Sequence, residues 1–98
     1  TRGRVGGPGE RYNYVYGNSK DLYEVNFIEL QLAEIVVIGD GDTDLDLYVY
    51  DSNGNLIAKD DDYTDRCYVS WVPRWTGRYI VKIVNRGPIL NNYHLVTN

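Results

Sequence analysis

The chain has 98 residues, a formal net charge of −4, ten tyrosines, two tryptophans, one cysteine and no methionine. That length makes one domain with one modest core. No coherent basic face is present, which argues against nucleic acid, and no run of about 18 apolar residues exists to span a bilayer.

Residues 1–10, TRGRVGGPGE, hold four glycines and a proline. This composition buries little and predicts an extended, flexible arm. RYNYVYG follows, with Tyr12, Tyr14 and Tyr16 on one side of a period-two pattern. A strand cannot stand alone, so this one must pair with a sheet edge. LYEVNF alternates Tyr23, Val25 and Phe27 against Glu24 and Asn26. AEIVVI is nearly continuous in apolar residues, as expected of a strand buried on both faces. DLDLYVY sends Leu45, Leu47 and Val49 one way and Asp46, Tyr48 and Tyr50 the other. SNGN is a hairpin signal, because Asn-Gly accepts the positive φ of the turn. NLIAKD, CYVSWV, RYIVKIVN and YHLVT complete the set, with turns at TG and RGP. No window has a helical period. Seven or eight short strands predict an all-β, antiparallel β-sandwich. Its core includes Leu45, Leu47, Val49, Tyr79, Val81, Ile83 and Leu95.

DLDLYVYDSNGNLIAKDDD, then WTGRYIVKIVN, then NNYHLVTN, resembles the bacterial pre-peptidase C-terminal domain over about residues 21–98. That family is related to the collagen-binding domains of secreted collagenases. The resemblance rests on the Asp-Leu-Asp-Leu-Tyr strand followed by Asp-x-x-Gly, the aromatic-Thr-Gly-x-Tyr start of a late strand, and the Tyr-x-Leu ending. It implies a jelly-roll-like sandwich, secretion and a non-catalytic accessory or adhesive role; some relatives bind calcium. This chain departs from the family in two places. FIELQLA has no glycine where the family's first hairpin turns through a polar, Gly-containing segment, and it presents Ile28, Leu30 and Leu32. Residues 1–20, a Gly-rich basic arm plus a Tyr-rich strand, lie outside the resemblance, which leaves 21–98 as the sandwich domain. The lack of methionine is expected of a processed product or of a piece cut from a longer chain, and points to export.

The acidic residues carry the sharpest question. The window from Asp40 to Asp65 holds nine of the fourteen acidic residues and one basic residue, Lys59, and so carries −8 against +4 for the rest. A hairpin from Leu45 to Lys59 brings Asp40, Asp42, Asp44 and Asp46 toward Asp60, Asp61, Asp62 and Asp65. Carboxylates meeting there repel without a counter-ion, which is the physical case for Ca2+ and its oxygen ligands. The competing expectation is a solvated rim partly paired with Arg66. The spacing is not that of an EF-hand loop, since Leu45 stands where that loop needs Gly.

Catalysis finds little footing. His94 is the single His and Cys67 the single Cys, each inside a strand, and Ser19, Ser52 and Ser70 lack a nucleophile-elbow context. Cys67 reads as a small buried hydrophobe. Two non-enzymatic functions remain. In the first, the chain is an extracellular structural subunit that self-assembles into a filament. Its leading strand adds to a neighbour, with Arg2, Arg4 and Arg11 meeting the neighbour's acids, and with Tyr12, Tyr14, Tyr16, Ile28, Leu30 and Leu32 in the contact. In the alternative, it is the accessory binding module of a secreted hydrolase. It then recognises collagen-like protein or polysaccharide on a platform of Trp71 and Trp75, which flank Pro73.

Overall fold

The computed structural model describes residues 3–41 and 43–98. They form eight strands: β1 (Gly9–Val15), β2 (Lys20–Phe27), β3 (Ala33–Gly39), β4 (Leu45–Tyr50), β5 (Leu56–Asp60), β6 (Arg66–Trp71), β7 (Gly77–Asn85) and β8 (Asn91–Thr97). The pairing is nested and antiparallel: β4 with β5, β3 with β6, β2 with β7 and β1 with β8. The innermost pair closes at Gly54, whose φ of +85° suits a residue without Cβ. Asp51 braces that turn, its Oδ1 accepting from the amides of Asn53 and Asn55 at 2.9 Å each. Rolled up, the nested hairpin becomes two four-stranded sheets, β1-β8-β3-β6 and β2-β7-β4-β5. This is a jelly-roll sandwich, as expected.

All seven predicted core residues are buried. Period-two spacing turns Leu45, Leu47 and Val49 of β4 and Tyr79, Val81 and Ile83 of β7 toward Ile35, Val37 and Leu95 of the other sheet. Phe27, Trp71 and Tyr79 form an aromatic cluster, with the Phe27 and Trp71 rings 4.9 Å apart and edge-on.

Three expectations need correction. The leading strand does not stand outside the sandwich: β1 is a full member of it and pairs with β8 from Gly9↔Thr97 to Val15↔Asn91. The arm is docked, too. Arg4 bridges to Phe27, the Arg4 amide donates to the Asn98 carbonyl at 3.0 Å, and the Ile28 amide donates to the Gly3 carbonyl at 2.7 Å. Gly3 is buried so closely that a Cβ would lie 2.5 Å from the Leu32 carbonyl oxygen. Glycines that suggested flexibility permit close approach instead. Arg2 lies outside the described residues. Finally, β3 is buried on one face only: Ile35 and Val37 point inward while Ile38 is exposed, because no further layer covers the outer face of that sheet.

The register sorts the loops into two poles. Val15, Asn91 and Gly39 end their strands together, so connections 16–19, 40–44, 61–65 and 86–90 share one pole. Connections 28–32, 51–55 and 72–76, the docked arm and the C-terminus occupy the other.

Candidate functional site

The first pole is acidic, and its carboxylates are already divided among protein partners. Asp40 Oδ2 accepts from the Asn92 amide at 2.9 Å. Asp65 Oδ2 accepts from the Gly41 amide at 2.5 Å and from Asn91 Nδ2 at 3.3 Å. Asp60 Oδ2 accepts from the Tyr68 amide at 2.9 Å. Asp62 Oδ1 accepts from the Thr64 amide at 3.1 Å. Lys59 Nζ pairs with Asp61 at 3.0 Å, and that pairing holds the Asp61 carboxyl below the ordinary range.

The counter-ion sequence reasoning assigned to Arg66 is Arg86. Its Nε donates to Asp46 Oδ2 at 2.7 Å, its Nη2 to Tyr48 Oη at 3.0 Å, and its amide to the Asp44 carbonyl at 2.9 Å. Asp46 is only 4% exposed. Arg86 was discoverable as the one cation in the RGP turn, beside the acidic loops only after folding. Asp44 is pushed up by burial first, then by Asp46 and Asp62, against the pull of Arg86. Among the described residues, no three acidic, His or Cys side chains converge as a metal-ligand set. Asp42 lies outside the described residues. Asp44 Oδ1 and Asp46 Oδ1 are buried without a hydrogen-bond partner. Around this acid rim Tyr63 is 96% exposed, and Tyr16 and Ile89 are exposed as well.

The opposite pole is apolar and carries exposed Arg74 and exposed Glu29. Leu30, Leu32, Val72 and Trp75 are exposed together there, beside exposed Arg74. Two loops form it, joined by the Leu30 amide donating to the Pro73 carbonyl at 2.9 Å and the Glu29 amide donating to Thr76 Oγ1 at 2.9 Å. Leu30 is 76% exposed and has a φ of +61°. Ile28 is half-buried against the arm. Of the Trp pair, Trp71 packs against the core cluster while staying partly exposed, Trp75 is exposed, and both line one open pocket with Val72, Pro73 and Arg74.

The tyrosines line a third surface. On the outer face of β1 and β8 the Tyr12 ring stacks on His94, 4.0 Å between centroids and 6° from parallel. Tyr14 and Tyr16 meet edge-on at 5.4 Å. His94 Nε2 is 2.9 Å from Glu10 Oε2. Arg11 lies over the Tyr23 ring at 5.6 Å, and Arg4 Nη1 donates to the Gly7 carbonyl at 2.9 Å. Both described arginines of the leading segment thus have local work. Beneath, Asn13 Nδ2 donates to Tyr23 Oη at 3.0 Å, Tyr23 and Tyr93 share a hydrogen bond, and Tyr93 Oη donates to Asp21 Oδ2 at 2.6 Å. This chain crosses between the sheets, and no motif announces it.

Cys67 and His94 do not form a nucleophile–base pair. His94 sits opposite Ile38 on the outer face, whereas Cys67 sits opposite Val37 on the inner one. Cys67 Sγ donates to the Leu45 carbonyl at 3.2 Å, and burial pushes its thiol up to about 12.

No protein-family model matches the chain, and no curated protein does. Solved structures do. The pre-peptidase C-terminal domain of a collagenase from Bacillus anthracis superposes with a TM-score of 0.71 at 14% identity, over 92% of this chain and 88% of that one. PliG, a periplasmic inhibitor of g-type lysozyme from Aeromonas hydrophila, gives 0.69 at 10% identity, over 98% and 86%. The Yersinia pseudotuberculosis-derived mitogen gives 0.66 at 14% identity, over 93% and 84%. At these identities the likeness is one of fold: this chain has the β-sandwich that the collagenase domain also has.

Proposed function

We propose that the chain is a non-catalytic structural module of an extracytoplasmic assembly, and that copies associate end to end. One observation supports this reading: the two poles are unlike. One presents Leu30, Leu32, Val72 and Trp75 beside Arg74, and the other presents acidic loops with Tyr63, Tyr16 and Ile89. Clustered exposed apolar groups mark an interaction surface, and opposite charge gives the contact direction and register. Unlike ends joined along the 38 Å long axis propagate, so the contact is heterologous and leads to a filament unless it closes into a ring. End-on docking differs from the heterologous strand donation that the leading segment suggested, since β1 pairs with β8 of its own copy.

Calcium has a limited place in this reading. Asp44 and Asp46 would hold it through their unpartnered oxygens, and it would supply positive charge at the acidic pole. Arg86 already supplies part of that charge, so the gain is modest.

A charge exchange tests the contact. Arg74→Glu and Asp62→Lys each weaken self-association, and mixing the two variants restores a contact between them. Failure of the mixture to associate, with both variants folded, contradicts end-on docking. A second reading is favoured by the fold shared with a collagenase accessory domain and a periplasmic lysozyme inhibitor. The apolar pole then docks on another secreted protein, and the chain alone stays monomeric.

A further inference from the structure

The sheet β1-β8-β3-β6 ends at β1, and among the described residues no strand pairs with its outer edge. That edge is seven residues long and bears two exposed tyrosines, Tyr12 at 74% and Tyr14 at 46%. The direction of its backbone groups can be read from two contacts. The Tyr14 amide donates to its neighbour Asn13 Oδ1 at 2.8 Å, not to β8. The Asn92 amide, on the residue opposite Tyr14, turns toward the β3 side and donates to Asp40 Oδ2, so that pair exchanges no backbone bonds. Gly9, Arg11, Asn13 and Val15 therefore bond to β8, and Glu10, Tyr12 and Tyr14 turn their amides and carbonyls away from it. Apart from the Tyr14 amide, which Asn13 Oδ1 occupies, this row of outward-turned backbone groups is complementary to another extended backbone.

We infer that the occupant is β1 of a second copy, paired antiparallel about a two-fold axis at Tyr12. Charge selects the register. An axis at Glu10 sets Glu10 opposite Glu10, and an axis at Arg11 sets Arg11 opposite Arg11; like charges directly opposed destabilise a ladder. An axis at Tyr12 sets Glu10 opposite Tyr14 and Arg11 opposite Asn13, with no like pair. Tyr12 is also the midpoint of Gly9–Val15, so all seven residues of each strand pair. The outward-turned groups of Glu10, Tyr12 and Tyr14 then meet each other in phase, with the Tyr14 amide exchanging Asn13 Oδ1 for the Glu10 carbonyl of the other copy. The contact is isologous and closes on itself, joining two four-stranded sheets into one of eight. It is lateral, independent of the end-on contact, and uses none of the same residues.

Paired cysteines test it. Opposed residues in such a ladder have Cα atoms about 5.5 Å apart, within disulfide reach. Tyr12→Cys therefore crosslinks into a covalent dimer under mild oxidation. Arg11→Cys does not, because its cysteine faces Asn13. Cys67 stays out of the reaction, being buried. Tyr12→Lys, at a site exposed enough to keep the fold, sets two lysines opposite each other and lowers the lateral dimer at least tenfold in sedimentation, while leaving end-on association to respond to Leu30 and Arg74 variants. Equal crosslinking of Tyr12→Cys and Arg11→Cys, or a Tyr12→Lys variant that dimerises like the wild type, overturns the pairing.

Discussion

The Leu30 amide donates to the Pro73 carbonyl at 2.9 Å while Leu30 itself holds a φ of +61°. Leu30 is the third residue of the turn Ile28–Gln31, closed by the Gln31 amide on the Ile28 carbonyl at 3.4 Å. A turn that needs positive φ there favours glycine, and a leucine costs about 1–2 kcal/mol. FIELQLA lacks the glycine that the resembled family would have had, and the strain is the consequence. Its side chain recovers little of that cost within one copy, being mostly exposed. Leu30→Gly should thus raise Tm by about 4–8 °C per kcal/mol relieved and weaken self-association. A calorimetric scan beside a sedimentation run reads both. A variant that is less stable, or that associates unchanged, contradicts the assignment.

On this account the acidic pole should respond to pH, and to calcium if it binds, through Asp44. Its carboxyl is raised by burial and by Asp46 and Asp62, so the folded state holds its proton to higher pH than the unfolded state does. The sign follows: this group's contribution is present below the unfolded carboxyl value and is lost as pH rises through the raised one. Asp44→Asn should be more stable than wild type at neutral pH in chelator, and should flatten that part of the pH profile. A cation bound at Asp44 and Asp46 raises Tm by mass action, with affinity in the range of about 10⁻⁴–10⁻³ M typical of extracellular calcium sites. Asp44→Asn abolishes that rise. Wild-type melting indifferent to millimolar calcium removes the metal and leaves Arg86 as the sole counter-ion.

Tyr93 ties β8 to β2 through Asp21 and Tyr23, and burial, then Asp21, push its phenol up. Tyr93→Phe keeps the ring and leaves Asp21 and Tyr23 without their shared partner, a cost of about 1–3 kcal/mol. The expected readout is a lower urea midpoint at unchanged slope. An unchanged midpoint shows that water replaces the phenol at no cost.

Cys67 is buried in the core and its thiol is pushed up to about 12. It should resist a thiol reagent at neutral pH in the native state and react fully in denaturant, since the thiolate is the nucleophile. Rapid native labelling indicates that β6 opens readily.

Strand alternation and the Asn-Gly turn made the sandwich legible, and the core of β4 and β7 could be read residue by residue. What alternation could not reveal is which edge a strand finds. Tyr12 and Tyr14 seemed spare because nothing local names β8 as their partner, 88 residues apart at the outer pair Gly9↔Thr97. The glycines of the arm read as flexibility, although at Gly3 the missing Cβ is needed for contact with Leu32. The acidic residues were legible as a cluster, but their sharing-out among Arg86, Lys59 and backbone amides depends on loops that meet only at the pole. Trp71 and Trp75 flank Pro73 in sequence, and the bend turns one inward and the other out.

End-on association of unlike poles is tested most directly by sedimentation velocity of the unmodified chain over a wide concentration range, at low and high salt. The unlike poles predict a weight-average coefficient that climbs with concentration without reaching a plateau, and climbs less at high salt because exposed charges are screened. A single slow boundary at every concentration and salt would mean that the poles do not recognise each other.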